Sequence, residues 1–227
     1  VTKTGGRLDT ALDLGKYGMY VNGSYHIYDG QNIPQNNSVE LGGGLYARAI
    51  ETRSNRVTYG LNITGFGYEK NLRRFSFGHG GYFSPQSYLA ISVPVEWEGY
   101  RNRFSYKLGG ALGIQSFKED GQAQYPNDSG LQAALETALE DYDGTVVIPG
   151  GYNSQSQTGV GFTLGGQFEY LLDPNLALGT RVALDNARDY NEASASAYLR
   201  YMFYPQKRVS FPPNLLLPNF NFGDPRL

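Results

Sequence analysis

The sequence contains no cysteine and only two histidines among its 227 residues. The lack of cysteine excludes disulfide bonds, thiolate catalysis and thiolate metal sites. His26 and His79 lie far apart in the chain and cannot supply the ligands of the usual metal sites, so we expect neither a metal nor a cofactor. Each histidine fits a polar wall or turn position better than the base of a hydrolase.

The sequence also offers little other material for catalysis. Glu96 and Glu98 share one strand face and could imitate the carboxylate pair of a glycosidase. Neighbouring carboxylates on one face of a strand are more often a solvated polar patch. The glycine-rich segments GGGLY and GFGYEK lack the strand–helix context of nucleotide-binding motifs. We therefore predict that the protein is not an enzyme.

Long apolar runs and net charge are absent as well. No stretch approaches the run of about 18 apolar residues that a membrane helix needs, and the mean hydropathy is −0.43. This low value remains compatible with a transmembrane β-barrel, because only alternate residues of its strands face lipid. The formal charge of −2 and the pI of about 5.7 provide no basic surface for a nucleic acid.

Glycine and tyrosine, in contrast, are abundant, with 30 and 19 residues respectively. Such enrichment fits strands with frequent tight turns and aromatic residues at a membrane interface. Soluble β-sandwiches and lectins can share this composition. Composition alone therefore leaves both a membrane barrel and a soluble all-β domain open.

Apolar and polar residues alternate with a period of two along most of the chain, with turn residues between the runs. In the clearest run, residues 87–98, Leu89 and Ile91 share one face while Ser92 and Glu96 share the other. The same alternation predicts strands over residues 19–28, 39–48, 57–64, 103–115, 160–170, 176–185 and 193–203, with weaker strands at 8–14 and 73–80.

These about ten predicted strands are mostly close to the 9–11 residues that cross a bilayer at a tilt, whereas sandwich strands average about 5–6. The polar faces carry charges of both signs almost to mid-strand, and such charges require water. Both features favour an antiparallel up-and-down transmembrane β-barrel of the porin type in the bacterial outer membrane. A soluble carbohydrate-binding sandwich is the alternative that extraction without detergent would reveal.

The order of strands and turns also predicts an orientation. If the last strand ends on the periplasmic side, the turns at Asp173–Asn175, Gly99–Asn102 and Asn71–Arg73 are periplasmic. The segment 118–157 is then an external loop, in which Ser129 caps a short helix formed by LQAALETALEDY. The loop around Gln31–Asn37 would be periplasmic, and it is longer than expected there.

Proline divides the chain into two parts. Residues 1–204 form the predicted barrel, and residues 205–227 form an extended C-terminal tail in which five prolines forbid a central strand. The tail is interpreted as a solvated terminus. Its phenylalanines and leucines also allow it to fold back into the pore mouth or to contact a periplasmic partner.

One segment is specific enough to indicate a family. Residues 70–91, KNLRRFSFGHGGYFSPQSYLAI, resemble the C-terminal outer-membrane domain of cellulose synthase operon protein C, and the resemblance extends weakly over most of the chain. It is strongest over one glycine-rich motif, which consists of Gly78, His79, Gly80, Gly81, Tyr82, Phe83, Ser84, Pro85 and Gln86. The motif is interpreted first as a structural strand end with a loop exit at Pro85, and second as a gate or substrate contact.

The resemblance implies a porin-like barrel of about sixteen strands that exports bacterial cellulose. It also implies two partners, a periplasmic tetratricopeptide-repeat region of the same protein and the inner-membrane synthase complex. The sequence departs from this pattern because no helical repeats precede its strands and fewer strands are predicted. We expect that N-terminal strands of the barrel lie outside this chain, and a smaller relative is the alternative.

The predicted lumen combines aromatic platforms with hydrogen-bonding groups, as the path of a neutral glucan requires. Five carboxylates balance five basic groups, whereas an exporter of an acidic polymer would be expected to have a basic lumen. For each residue, an ion pair within the wall is the simpler role. The residues are Tyr20, Tyr28, Tyr46, Tyr88 and Tyr198, with Glu40, Arg48, Glu96, Glu98, Arg103, Lys107, Glu169, Arg181, Asp185 and Arg200.

We therefore predict a passive outer-membrane pore that exports an exopolysaccharide, cellulose being the first candidate, during cellulose biosynthesis. Its partners would be a glucan and outer-membrane lipid. A barrel enzyme and an export pore for a different polysaccharide are the alternatives.

Overall fold

The computed structural model describes residues 1–140, 150–187 and 190–206. It is almost entirely antiparallel β-structure with one short helix, which confirms the predicted fold class. The elements are β1 Thr2–Asp13, β2 Tyr17–Gly30, β3 Ile33–Glu51, β4 Asn55–Tyr68, β5 Ser87–Arg101, β6 Phe104–Glu119, β7 Gln122–Ala123, α1 Ser129–Glu140, β8 Gly151–Tyr152, β9 Gln155–Asp173, β10 Leu176–Ala187 and β11 Tyr190–Tyr201.

Nine of the strands form one sheet in the order β1-β2-β3-β4-β5-β6-β9-β10-β11. Every neighbouring pair in this sheet is antiparallel, so the chain runs up and down in sequence order. The short strands β7 and β8 form a separate ribbon. In the described ranges, α1 has neither the length nor the hydropathy of a membrane-spanning helix.

The two faces of the sheet have opposite chemistry. On β5, Val93 is 51% exposed although it is apolar, whereas its neighbour Ser92 is only 4% exposed. The other strands repeat this arrangement, with large apolar side chains on an exposed outer face and polar side chains on a more buried inner face. The usual distribution of a water-soluble protein is therefore inverted.

The two ends of the sheet differ in the length of their connections. At one end, called the turn end, the connections are residues 14–16, 52–54, 102–103 and 174–175. Asparagine and aspartate stabilise two of these turns. Asn102 adopts a left-handed φ of 55°. The Asp173 side chain accepts a hydrogen bond from the Asn175 amide at 2.7 Å. The opposite end, called the loop end, carries the long segments 69–86 and 120–154.

One predicted strand is wrong. Residues 73–80 form turns within the loop 69–86, because Gly78 and Gly81 have φ values of 88° and 70° that no strand residue adopts. Because no strand lies between β4 and β5, Asn71–Arg73 belongs to the connection at the loop end. The prediction that it lies at the same end as the turns at 102–103 and 174–175 is wrong. The connection near Gln31–Asn37 also lies at the loop end and is a turn of two residues, Gln31 and Asn32.

The predicted helix in the second loop is confirmed, although its cap is not. Asp128, and not Ser129, caps α1, since its Oδ1 accepts a hydrogen bond from the Leu131 amide at 2.9 Å. None of the residues of α1 is buried. Residues 141–149 and most of the predicted tail, 207–227, lie outside the described residues.

Candidate functional site

The inner face of the sheet gathers almost all of the polar and tyrosine residues that the alternation predicts. The cross-strand registers place them on the same face as buried residues such as Asn62, Ser92 and Gln167. Arg103 is the exception, because it lies in the turn between β5 and β6 and donates a hydrogen bond to the Leu172 carbonyl at 3.1 Å. The inner-face residues are Tyr20, Tyr28, Glu40, Tyr46, Arg48, Tyr88, Glu96, Glu98, Lys107, Glu169, Arg181, Asp185, Tyr198 and Arg200.

Charged residues near the turn end are joined by ion pairs between strands. Arg48 on β3 pairs with Asp13 on β1, and Arg56 on β4 pairs with Glu98 on β5 at 2.9 Å. Glu51 lies between the two arginines, 3.9 Å from Arg48 and 3.7 Å from Arg56. Each charge on this part of the wall thus has an opposite charge beside it.

The two carboxylates that could imitate a glycosidase pair belong to the same arrangement. Glu96 pairs with Lys107 at 2.9 Å, and Glu98 pairs with Arg56. Both carboxylates are therefore engaged by cations of the wall. Among the described residues, no group of three or more histidine, aspartate or glutamate side chains is placed to hold a metal ion.

A second polar cluster lies on β9, β10 and β11. Glu169 accepts hydrogen bonds from Arg200, and it accepts another from the Tyr198 hydroxyl at 3.3 Å. Gln167 is fully buried and its Nε2 donates to the Tyr198 hydroxyl at 3.0 Å. The guanidinium of Arg181 lies 5.2 Å from the centre of the Tyr198 ring. Tyr198 is the centre of this cluster.

A cluster of aromatic side chains lies near the loop end of the inner face, on β2, β4, β5 and β6. Phe66 on β4 stacks on Tyr88 on β5 with ring centres 4.3 Å apart. Tyr82 and Phe83 of the glycine-rich motif insert into this cluster, because Tyr82 stacks on Tyr28 at 5.2 Å and Phe83 meets Phe66 edge to face at 6.4 Å. The loop 69–86 thus folds onto the inner face and covers its loop end.

The backbone of the motif is held in this position by buried hydrogen bonds. Asn36 on β3 is fully buried, accepts a bond from the Lys70 amide at 2.9 Å and donates to the Tyr82 hydroxyl at 3.0 Å. The Ser84 hydroxyl accepts a bond from the Leu72 amide at 2.7 Å. A methyl group on Gly80 would lie 2.3 Å from the Tyr82 ring, so this position requires glycine.

The motif also contacts the second long loop. His79 Nε2 donates to the Ala123 carbonyl at 3.1 Å, and Tyr152 contacts the Ser76 hydroxyl at 3.1 Å. Burial lowers the pKa of His79, the hydrogen bond to Ala123 partly opposes this effect, and the charge of Arg74 lowers the pKa further. His79 is consequently neutral at physiological pH, with its proton on Nε2.

Several residues of the site were not singled out from the sequence. Phe66 and Tyr68 continue the inner-face parity of β4 beyond Thr64, where the predicted strand stops, and a longer strand would have found them. The sequence pattern did not indicate that Asn36 belongs to the site. Its partners lie 34 and 46 positions further along the chain, and a sequence pattern carries no information on such pairings.

Comparison with known proteins identifies the family of the chain. The model of the family "Cellulose synthase operon protein C C-terminus" matches residues 1–204. Relatives named cellulose synthase operon protein C are 37% identical in Xanthomonas axonopodis pv. citri, 35% in Pseudomonas fluorescens and 31% in Salmonella typhimurium. The matches cover 89%, 89% and 96% of this chain. They cover only 14%, 15% and 18% of the relatives, so the chain spans a small part of their length. The chain belongs to the cellulose synthase operon protein C C-terminus family.

Proposed function

We propose that the chain forms part of the wall of an outer-membrane channel that exports a neutral glucan, cellulose, during bacterial cellulose biosynthesis. The observation that carries this proposal is the inverted distribution of side chains between the two faces of the sheet. The names of the relatives support the link to cellulose synthesis.

The outer face has the composition of a surface in contact with lipid. Large apolar side chains such as Leu41, Leu112 and Val182 are exposed on strand after strand, whereas soluble monomers rarely expose a large continuous apolar patch to water. Aromatic rings collect near the turn end of the same face, where Trp97 meets Tyr106 at 5.1 Å and Phe104 meets Phe168 at 6.1 Å. Such rings mark the membrane–water interface of barrels.

The inner face suits a neutral polymer with many hydroxyl groups. Its ion pairs cancel the wall charges locally, so no field of one sign attracts or repels an ionic polymer. Tyrosine rings and side-chain amides offer stacking surfaces and hydrogen bonds to a sugar chain. Movement through such a pore is passive and is driven by polymer synthesis at the inner membrane.

The unequal ends of the sheet support one orientation of the proposed channel. Barrels of the outer membrane have short periplasmic turns and long external loops. We place the turn end in the periplasm, where a tetratricopeptide-repeat region of the same protein and the synthase complex would deliver the polymer. The loop end then faces the outside, and loop 69–86 acts as a gate there.

A cell that synthesises cellulose provides the test. Loss of the gene is expected to stop the appearance of cellulose outside the cell, while the synthase in isolated inner membranes still makes polymer at the normal rate. Complementation with the full-length gene is expected to restore secretion. Normal secretion in the deletion strain would refute the export role, and extraction of the protein without detergent would refute the barrel.

A further inference from the structure

Three tyrosines of the inner face lie over glycines of the neighbouring strand. The registers pair Tyr46 with Gly18, Tyr20 with Gly44 and Tyr198 with Gly179. In each pair the ring occupies the space that a side chain on the glycine would need. A methyl group would lie 2.2 Å from Tyr46 Cζ, 2.6 Å from Tyr20 Cε1 and 2.1 Å from Tyr198 Cζ.

This arrangement fixes how the rings are presented. Each ring reaches across to the next strand and lies along the wall, with one face on glycine backbone, so the three tyrosines remain only half-buried. The guanidinium groups of Arg48 and Arg181 lie 5.7 Å and 5.2 Å from the centres of the Tyr46 and Tyr198 rings, so a sugar that stacks on either ring must displace this cation or share the ring with it. Glycine is required at these positions because any larger side chain would lift the ring off the wall.

All three pairs lie near the turn end of their strands. Gly18 and Tyr20 stand close to the start of β2 at Tyr17, and Tyr198 stands close to the end of β11 at Tyr201. Both positions are at the turn end. The two pairs on β2 and β3 and the single pair on β10 and β11 lie near the opposite edges of the nine-stranded sheet.

Unsatisfied polar groups accompany the Tyr198 ring. Gln167 is fully buried, yet its Oε1 accepts no hydrogen bond from any described residue, while its Nε2 holds the Tyr198 hydroxyl. The Nε of Arg181, beside the same ring, has no partner among the described residues either. A buried acceptor and a buried donor without partners are unfavourable, so the groups packed around the Tyr198 ring lack a complete set of hydrogen bonds.

We propose that these three tyrosine–glycine pairs form a sugar-binding collar at the turn-end mouth, which takes the flat apolar faces of a β-1,4-linked glucan. The inference rests on the proposed function and adds the position and the construction of its first binding site. Tyr20, Tyr46 and Tyr198 contact the sugar rings. Gly18, Gly44 and Gly179 are positioning residues that keep the tyrosine rings flat.

The test uses the full-length protein in detergent and measures the binding of cellohexaose by calorimetry, with maltohexaose as the comparison. The double variant Tyr46→Ser/Tyr198→Ser should bind cellohexaose about tenfold more weakly, because it removes two stacking surfaces. The variants Tyr198→Phe and Tyr46→Phe should bind within about twofold of the wild type, since the rings remain. Maltohexaose, whose α-linked chain is curved, should bind more weakly than cellohexaose to the wild type.

Substitutions of the glycines test whether the tyrosine rings act as stacking surfaces for sugar or only as contacts within the wall. Gly179→Ala should weaken cellohexaose binding about as much as Tyr198→Ser, although the phenol is intact. Gly65→Ala is the matched control, because its methyl group meets other atoms only at 3.5 Å and 3.9 Å. Tyr201→Ser is the second control, since Tyr201 lies on the outer face of the strand that carries Tyr198. Both controls should bind as the wild type does.

Two results would overturn the collar. One is wild-type affinity in the folded Tyr46→Ser/Tyr198→Ser and Gly179→Ala variants, with folding checked by thermal melting. The other is equal binding of cellohexaose and maltohexaose. If these results occur while deletion of the gene still stops cellulose secretion, the collar fails and the export role stands. If secretion is normal in the deletion strain, the export role fails.

Discussion

Single buried polar residues decide the conformation of the glycine-rich loop. Asn36 lies two residues before the inner-face Ser38 on β3, and its side chain binds both backbone groups of Lys70 as well as the Tyr82 hydroxyl. A buried amide that satisfies several partners is worth more than a surface hydrogen bond, because each partner would otherwise be buried without a bond. The loop therefore depends on a residue outside it.

Asn36→Ala should detach the loop 69–86 from the sheet. We expect the local stability of the loop to fall by about 2 kcal/mol, which hydrogen exchange of its amides would measure. Asn37→Ala is the control, because Asn37 makes an exposed side-chain bond to Glu69. Equal exchange in the two variants would contradict this role of Asn36.

His79 should make the contact between the two long loops sensitive to pH. Because its pKa in the folded protein is lowered, the unfolded state binds more protons, and stability is lost as the pH falls below the ordinary histidine value of about 6.5. We expect the channel to conduct more in planar bilayers at about pH 5 than at about pH 7.5. His79→Gln, whose amide can still donate to the Ala123 carbonyl, should remove most of this difference. An unchanged pH response in that variant would exclude His79 as the sensor.

At the scale of elements, the strands could be predicted from the sequence and the loop 69–86 could not. Period-two alternation shows which face of the sheet a side chain lies on. Residues 87–98 of β5 and 104–115 of β6 follow this alternation. Residues 73–80 imitate this pattern, but the φ values of Gly78 and Gly81 and the bonds to Asn36 override it. These determinants depend on distant partners, so local patterning cannot reveal them. The predicted inner-face tyrosines followed from parity alone, whereas their pairing with glycines required the register.

The insertion of Tyr82 and Phe83 gives loop 69–86 its proposed role as a gate. Tyr82→Ala/Phe83→Ala should remove the two loop rings from the aromatic cluster at the loop end and raise the single-channel conductance severalfold in planar bilayers. Phe75→Ala is the control from the same loop, because its side chain is 93% exposed and should leave the conductance unchanged. Equal conductance of the wild type and the double variant would show that the loop does not obstruct the path.

At the scale of the whole molecule, the stability of the sheet depends on the solvent at each face. The outer face would expose its leucines and valines to water, and the edge strands β1 and β11 pair on one side only among the described residues. A bilayer removes the cost of exposing the apolar outer face to water. In a bilayer the backbone N–H and C=O groups of the edge strands must also find hydrogen-bond partners, because no water is present to bond to them. The inverted faces were predictable from alternation, whereas the pairing of the edges was not.

An arginine introduced on each face of the sheet should show whether that face meets lipid or water. Val182→Arg, near the middle of β10 on the outer face, should destabilise the protein in lipid by about 2–4 kcal/mol. Ser194→Arg is the matched control, because Ser194 lies on the inner face of the adjacent strand opposite the uncharged Ala183. Urea unfolding in vesicles measures both variants. A larger loss for Ser194→Arg would be the result expected of a soluble sandwich.

The seating of Tyr82 and Phe83 on the aromatic cluster bears on how a cell keeps its outer membrane impermeable. A channel wide enough for a polymer would also admit antibiotics and bile salts if it stood empty. Under the proposed function, rings of the protein occupy the path when no polymer is present, and sugar rings occupy it during secretion. The cell would then secrete a long polymer without opening a leak to small toxic solutes.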